Sequence, residues 1–251
     1  MTAFHLKIIA LATMIIDHVG AVLFPQYLVL RVIGRLAFPI YVYLLAEGFR
    51  HTKKPGRFLM RLGLFALVSQ PAFDWAIRGG RFLWDTDFFN NTNIFYTLFL
   101  GGAAIYVFDF ARGKLTDSMG KVAANVAAAV PLVAFMWLAE VLSTDYGAYG
   151  VVFIFAMYAI NSRKFRLVVM ALACLWQHRW IVERTIAALG EYAPPLPTTL
   201  HMMMIPATLA AVVLVAFYNG KRGPGFKWLF YWSYPVHLMV LAIVDYFGVN
   251  W

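Results

Sequence analysis

Residues 6–24 read LKIIALATMIIDHVGAVLF, and residues 28–49 read LVLRVIGRLAFPIYVYLLAEGF. Both stretches are almost continuously apolar, yet each carries charged side chains in its interior. An apolar run of this length is typical of a helix that crosses a bilayer, because lipid offers no hydrogen bonds to an open backbone. The two stretches therefore predict neighbouring membrane helices that hold ionisable groups at membrane depth.

The composition of the whole chain agrees with this interpretation. Of its 251 residues, 62% are apolar and 13% are charged, and the mean hydropathy is +0.71. Soluble domains are about 45–50% apolar and about 25% charged, so a soluble enzyme, a secreted domain and a disordered protein are excluded. Continuous apolar runs also differ from the alternating pattern of barrel strands. We expect an all-α, polytopic integral membrane helical bundle with a single domain over residues 1–251.

The apolar runs predict about nine membrane helices, within a range of about eight to ten. Spans six and seven are the short ones, and they set this range. The nine spans are 8–24, 28–49, 58–77, 93–110, 122–142, 148–160, 166–180, 199–218 and 228–247.

The basic residues of the loops predict the orientation of the chain. Fifteen basic residues lie on the face that contains the N-terminus, against four on the other face. Cytoplasmic loops of membrane proteins carry this excess, so we expect a cytoplasmic N-terminus in a bacterial inner membrane. The net charge of +9 has the same explanation, and no nucleic-acid partner is expected. The four outer residues are Arg78, Arg81, Arg179 and Arg184.

Residues 177–198 have a different pattern from the spans. Apolar side chains recur there at helical spacing between charged ones, and Pro194, Pro195 and Pro197 follow. This pattern is typical of an amphipathic helix on a membrane surface, here the external one.

Four ionisable residues are predicted to meet in the outer half of the membrane. Asp17 and His18 lie in span one, and Arg31 and Arg35 lie one helical turn apart on span two. Charges at membrane depth cost at least about 2.5 kcal/mol, so they need partners or a function. The simplest interpretation pairs Asp17 with an arginine. An ion pair between Asp17 and an arginine gives no role to the imidazole of His18. We therefore expect a reaction centre in which His18 is the base.

Further polar residues lie inside or beside other spans. Glu47 and Lys7 are predicted to pair near the cytoplasmic face. Gln70, Asn93 and His237 are weaker candidates, for which we expect substrate binding, against helix capping or core packing as simpler roles. The single cysteine, Cys174, excludes an internal disulfide and a cysteine metal cluster.

Several blocks of the sequence resemble the TraX family, over nearly the whole chain. The first two blocks listed here are the most specific. The blocks are residues 6–10, 16–20, 30–40, 47–49, 93–98 and 231–238.

TraX proteins are known for acetylating the N-terminus of conjugative pilin, and they are similar to a wider group of transmembrane acyltransferases. That group carries a basic residue and a histidine separated by ten residues in its first helix, a spacing that Lys7 and His18 match. The resemblance implies an acyl-CoA-dependent O- or N-acetyltransferase. Its donor would be cytoplasmic acetyl-CoA, and its acceptor a pilin-like protein or an envelope glycan or lipid.

The basic residues of the inner face suit the phosphates of CoA, and Lys7 lies about 16 Å below His18 along span one. We expect His18 either to deprotonate the acceptor or to be acylated transiently, with Asp17, Arg31 and Arg35 completing the catalytic set. No metal or haem is expected. The predicted donor-binding residues are Lys7, Lys53, Lys54, Arg57 and Arg61.

Three other interpretations remain open at the level of the sequence. A proton- or ion-coupled transporter would use the same Asp17, His18 and arginine cluster as its path, although no internal repeat is visible. A haem-binding bundle would need His18 and His237 to face each other at one depth. A structural assembly factor would need none of this chemistry.

Overall fold

The computed structural model describes residues 1–78, 91–189 and 198–248, with side chains undescribed at 78, 178–189 and 198–203. All its elements are helices, and no strand occurs among these residues. In chain order they are α1 Ala3–Val22, α2 Leu28–Gly34, α3 Ala37–His51, α4 Pro55–Arg78, α5 Ile94–Ala129, α6 Pro131–Val141, α7 Gly147–Ala159, α8 Arg163–Leu189, α9 Thr198–Ala216 and α10 Lys227–Tyr246.

Most of the apolar runs form helices close to their predicted bounds. The helices α1, α4, α7, α9 and α10 confirm the first, third, sixth, eighth and ninth runs as helices, to within five residues at each end. These helices were predictable because a long apolar run in lipid must satisfy its backbone hydrogen bonds within a helix. Proline occurs inside α4, α9 and α10 without ending them.

The second predicted span is two helices rather than one. The chain leaves helical hydrogen bonding at Arg35, whose backbone N–H bonds to Val32 in a tightened last turn, and α3 then begins at Ala37. Pro39 explains the break, because it has no N–H to donate to the carbonyl of residue 35. Residues 28–51 still form one continuous apolar path of 24 residues.

The predicted loop between the fourth and fifth spans is helical instead. The helix α5 continues through residues 111–121, and its direction changes at Gly120, where φ is +76°. A positive φ favours glycine, so this residue permits the bend. The prediction of a loop was wrong because charged residues there mark exposure rather than the end of a helix. Pro131 then begins α6.

The predicted surface segment 177–198 does not begin with a break. The helix α8 runs without interruption from Arg163 to Leu189, so the prediction of a separate helix that begins at residue 177 was wrong. The remaining residues, 190–197, lie outside the described part of the chain. The amphipathic character of this segment stays a prediction.

Among the described residues, three helical stretches are long and apolar enough to cross a membrane: 3–22, 28–51 and 94–141. Two further apolar helices are shorter. Large apolar side chains point outward along the bundle; Trp137, Trp176 and Phe217 are each 66% exposed. A water-soluble surface does not carry so much apolar area, which fits a lipid-facing exterior. About nine crossings and a cytoplasmic N-terminus stay predictions.

Among the residues whose side chains the structure describes, those of α3 are the most buried, and this helix packs against α1, α5, α7 and α9. The helix α1 lies against α2, α3 and α10. Its first turn is fixed by the loop between α9 and α10, because Ala3 and Phe4 donate backbone hydrogen bonds to the carbonyls of Lys221 and Arg222. The start of α1 and the start of α10 therefore share one end of the bundle.

Candidate functional site

Asp17 is held by two arginines of the next segment, as the sequence predicted. Its carboxylate lies 2.6 Å from Nη1 of Arg31 and 2.9 Å from Nη2 of Arg35. The side chains of Asp17 and Arg35 are only 14% and 12% exposed, whereas that of Arg31 is 33% exposed. We call these three residues the Asp17 clamp. Both arginines are also attracted by Asp145, a second carboxylate nearby.

A glycine makes the clamp possible. A Cβ added at Gly34 would lie 2.1 Å from Oδ1 of Asp17 and 2.2 Å from its Cβ. Real Cβ atoms do not come this close, so α1 and α2 can pack in this way only with glycine at residue 34. The helices thus approach closely where the carboxylate meets its arginines.

His18 pairs with His237 across the interface of α1 and α10. Nδ1 of His18 lies 2.6 Å from Nε2 of His237, and the two rings are parallel to within 6°. Nδ1 of His237 in turn lies 2.6 Å from the carbonyl oxygen of Ser233. Tyr234, which is buried, places its ring edge-on against both imidazoles. The structure therefore joins two histidines that are 219 residues apart.

This pairing bears on two predictions for the histidines. His237 was a candidate for substrate binding, and its position beside His18 places it within the candidate centre. A haem iron bound between the facing nitrogens is disfavoured, because two metal–nitrogen bonds of about 2.0 Å need a gap of about 4 Å. Within the described residues, no group of three or more histidine, cysteine or acidic side chains could hold a metal ion.

A cavity of about 560 Å³ opens at the end of the bundle where α1 and α10 begin. Its apolar walls come from α1, α3, α4, α5 and α10. Inside, it reaches Met14 and Tyr234, which lie about 10 Å along their helices from Lys7 and Lys227. Tyr234 in turn contacts the ring of His18, so its side chain lies between the cavity and the histidine pair, and neither histidine lines the cavity. Its five Lys and Arg lining residues are Lys7, Lys53, Arg61, Arg222 and Lys227.

These cations only partly match the predicted donor-binding set. Lys7, Lys53 and Arg61 line the cavity, whereas Lys54 and Arg57 of the same basic stretch do not. Arg222 and Lys227 also line the cavity, although from the sequence they were only indicators of topology. Their signal was their place in a loop on the face that contains Lys7. We call this space the cationic cavity.

The predicted pair of Lys7 with Glu47 does not form. Glu47 forms an ion pair with Arg166 of α8 and lies 3.9 Å from Nε of Arg50. The ammonium of Lys7 lies over the ring of Phe230 instead, 5.4 Å from its centre. Similar depth was not enough to predict contact. Because Glu47 is neutralised by Arg166, the cationic cavity keeps its positive charge.

Gln70 and Asn93 use their amide groups within the protein. Nε2 of Gln70 donates to Asp74, and its Oε1 accepts from both the backbone N–H and the side chain of Asn93. Asn93 also caps α5 through Phe95 and donates to the carbonyl of Ala66. These contacts join α4 to α5, which is the simpler role foreseen for Asn93. Substrate binding by the two amides stays a prediction without support from this geometry.

Comparisons with known proteins identify the family of the chain. A family profile described as TraX protein matches residues 3–245. The chain is 29% identical to a probable fimbrial assembly protein FimC of serogroup H1 from Dichelobacter nodosus, over 98% of this chain and 96% of that protein. It is 27% identical to an uncharacterised protein of Rickettsia prowazekii, over 57% of this chain and 49% of that protein. No solved structure matches. The chain thus belongs to the TraX family.

Proposed function

We propose that this protein is a membrane-embedded acetyltransferase that uses acetyl-CoA as its donor. The single observation that carries the proposal is the cationic cavity, which extends from five cations at one end of the bundle to Met14 and to Tyr234, the residue whose ring contacts His18. A cationic opening above an apolar channel suits a ligand with phosphates at one end and a thioester at the other.

The residues of the cavity fit the two ends of the donor. Lysine and arginine side chains bind phosphate groups through charge-assisted hydrogen bonds, and Lys7, Arg61 and Arg222 come from three different elements around the opening. Leu44 and Leu98 belong to the apolar wall along which a pantetheine arm would lie. CoA would supply an activated acetyl group at the inner end of that wall.

His18 would act there as the general base. It takes a proton from an amine or hydroxyl of the acceptor as that atom attacks the thioester carbonyl. The carbon–sulfur bond then breaks, and the proton passes from His18 to the departing thiolate, which leaves as the CoA thiol. The guanidinium groups of Arg31 and Arg35 would stabilise the oxyanion of the tetrahedral intermediate.

For the acceptor, we infer a subunit of a fibrous surface appendage, modified at an amine. The support is the printed name of the D. nodosus relative, a probable fimbrial assembly protein that this chain matches over nearly its full length. An envelope glycan or lipid is the alternative acceptor. The bacterial inner membrane is the proposed location, crossed several times. Reporter fusions at residues 55 and 222 should then be cytoplasmic.

The decisive experiment uses the purified full-length protein in lipid nanodiscs. Acetyl-CoA labelled in its acetyl group is incubated with membranes of the source bacterium that lack the native protein. We expect labelled material that mass spectrometry identifies as an acetylated appendage subunit. Label in a glycan or lipid would support transfer but change the acceptor. If the protein neither binds CoA nor releases thiol from acetyl-CoA, the proposal is wrong.

A further inference from the structure

We propose that His237 is a positioning residue that fixes the protonation of His18, leaving Nε2 of His18 as the atom that accepts the proton. The observation behind it is the chain of contacts from Ser233 through His237 to His18. The role in catalysis rests on the proposed function, whereas the protonation pattern itself does not.

The carbonyl oxygen of Ser233 determines the first step. A carbonyl can only accept a hydrogen bond, and Nδ1 of His237 lies 2.6 Å from it, so Nδ1 of His237 must carry a hydrogen. In a neutral imidazole only one nitrogen carries hydrogen, which leaves Nε2 of His237 with a lone pair. The opposite arrangement would place two lone pairs against each other.

The second step transfers this constraint to His18. The bare Nε2 of His237 is 2.6 Å from Nδ1 of His18, so Nδ1 of His18 must donate the hydrogen between them. The neutral ring of His18 then has its lone pair on Nε2. Among the described residues, none forms a hydrogen bond with that nitrogen. Its lone pair is therefore not used by any described residue, and we assign it the role of proton acceptor.

The surroundings hold both rings in this relation. Their centres are 5.0 Å apart, and Tyr234 contacts each ring edge-on at 5.9 and 5.6 Å. Because Tyr234 is only 3% exposed and belongs to the same helix as Ser233, neither imidazole can turn without displacing a buried ring. The pair resembles other sites in which a partner of one ring nitrogen sets the chemistry of the other.

Two amide substitutions at residue 237 separate this role from simple packing. In His237→Gln, the amide oxygen extends to where Nε2 lay and can accept from Nδ1 of His18. In His237→Asn, the shorter amide reaches the carbonyl of Ser233 but not His18. Loss of such an orienting partner costs about 10- to 100-fold in rate. We expect that loss in kcat for His237→Asn with KM for acetyl-CoA unchanged, and recovery to within a few fold in His237→Gln.

The protonation of the two histidines can be measured by NMR, independently of catalytic activity. The full-length protein is labelled with ¹⁵N-histidine in nanodiscs, and ¹⁵N–¹H correlation spectra are recorded. Comparison with His18→Gln identifies the signals of His18. We expect a hydrogen on Nδ1 of His18 in the native protein and in His237→Gln, and its loss or redistribution to Nε2 in His237→Asn. A folded His5→Gln variant serves as the histidine-to-glutamine control.

The outcomes separate the two proposals. If Nε2 of His18 carries the hydrogen in the native protein, the inference is overturned. It is also overturned if His237→Asn leaves the pattern unchanged, or if both amides lower kcat equally. If the pattern is as expected but no acetyl transfer occurs with any acceptor, the histidine pair stands and the proposed function fails.

Discussion

Removing two cations from the wall of the cationic cavity should weaken donor binding, whereas removing two from its neighbourhood should not. The test compares Lys53→Gln/Arg61→Gln with Lys54→Gln/Arg57→Gln. Each double variant loses one lysine and one arginine from the same basic stretch, so any effect on membrane topology is matched. Only the first pair lines the cavity.

The expected increase in the Kd for CoA follows from the solvent exposure of each side chain. Nε of Arg61 is shielded from water, so its attraction to phosphate is little screened and its loss costs about 1.5 kcal/mol, about tenfold in affinity. Lys53 is exposed, and its loss should add only about a factor of two. The cavity variant should therefore raise the Kd for CoA about 20-fold.

Calorimetric titration of CoA into each protein in nanodiscs measures the difference, and KM for acetyl-CoA should follow it. The Lys54 and Arg57 variant should stay within about twofold of the native protein. Equal weakening in both variants would show that the basic stretch acts only through its general charge. No weakening in either would place the donor site elsewhere in the molecule.

Three further changes test the centre itself. His18→Ala should lower kcat by about 10²- to 10⁴-fold while the protein stays folded, because no charge is left unpaired; full acetyl transfer would remove His18 from the mechanism. Arg35→Ala should lower the free energy of unfolding by about 1.5–3 kcal/mol in thermal unfolding, because Asp17 loses one charge-assisted hydrogen bond but keeps its ion pair with Arg31. Gly34→Ala should separate α1 from α2 and lower both stability and kcat; unchanged melting would contradict the close packing.

The fold was predictable where hydrophobicity alone decides it. Apolar runs located most helices, and the four-residue spacing of Arg31 and Arg35 correctly predicted that both would meet Asp17. Hydrophobicity does not show where a helix breaks or bends inside an apolar run. Pro39 divides the second span, and the positive φ of Gly120 places a bend inside α5.

The site was less predictable because it depends on contacts between distant segments. The similar depth of Lys7 and Glu47 in the membrane predicted that they would pair, but the rotation of α3 turns Glu47 toward Arg166. The pairing of His18 with His237 entered only as a condition for haem binding, since nothing in the sequence indicates that α1 lies against α10. Which cations of a basic loop face a cavity likewise depends on the register of the loop.

The histidine pair has a consequence for biosynthesis. A ribosome delivers His18 to the membrane early, and more than two hundred residues must be inserted before His237 can reach it. Contacts of such long sequence separation form late, after the intervening helices have been placed. A nascent chain that lacks α10 therefore has neither the histidine pair nor one wall of the cationic cavity.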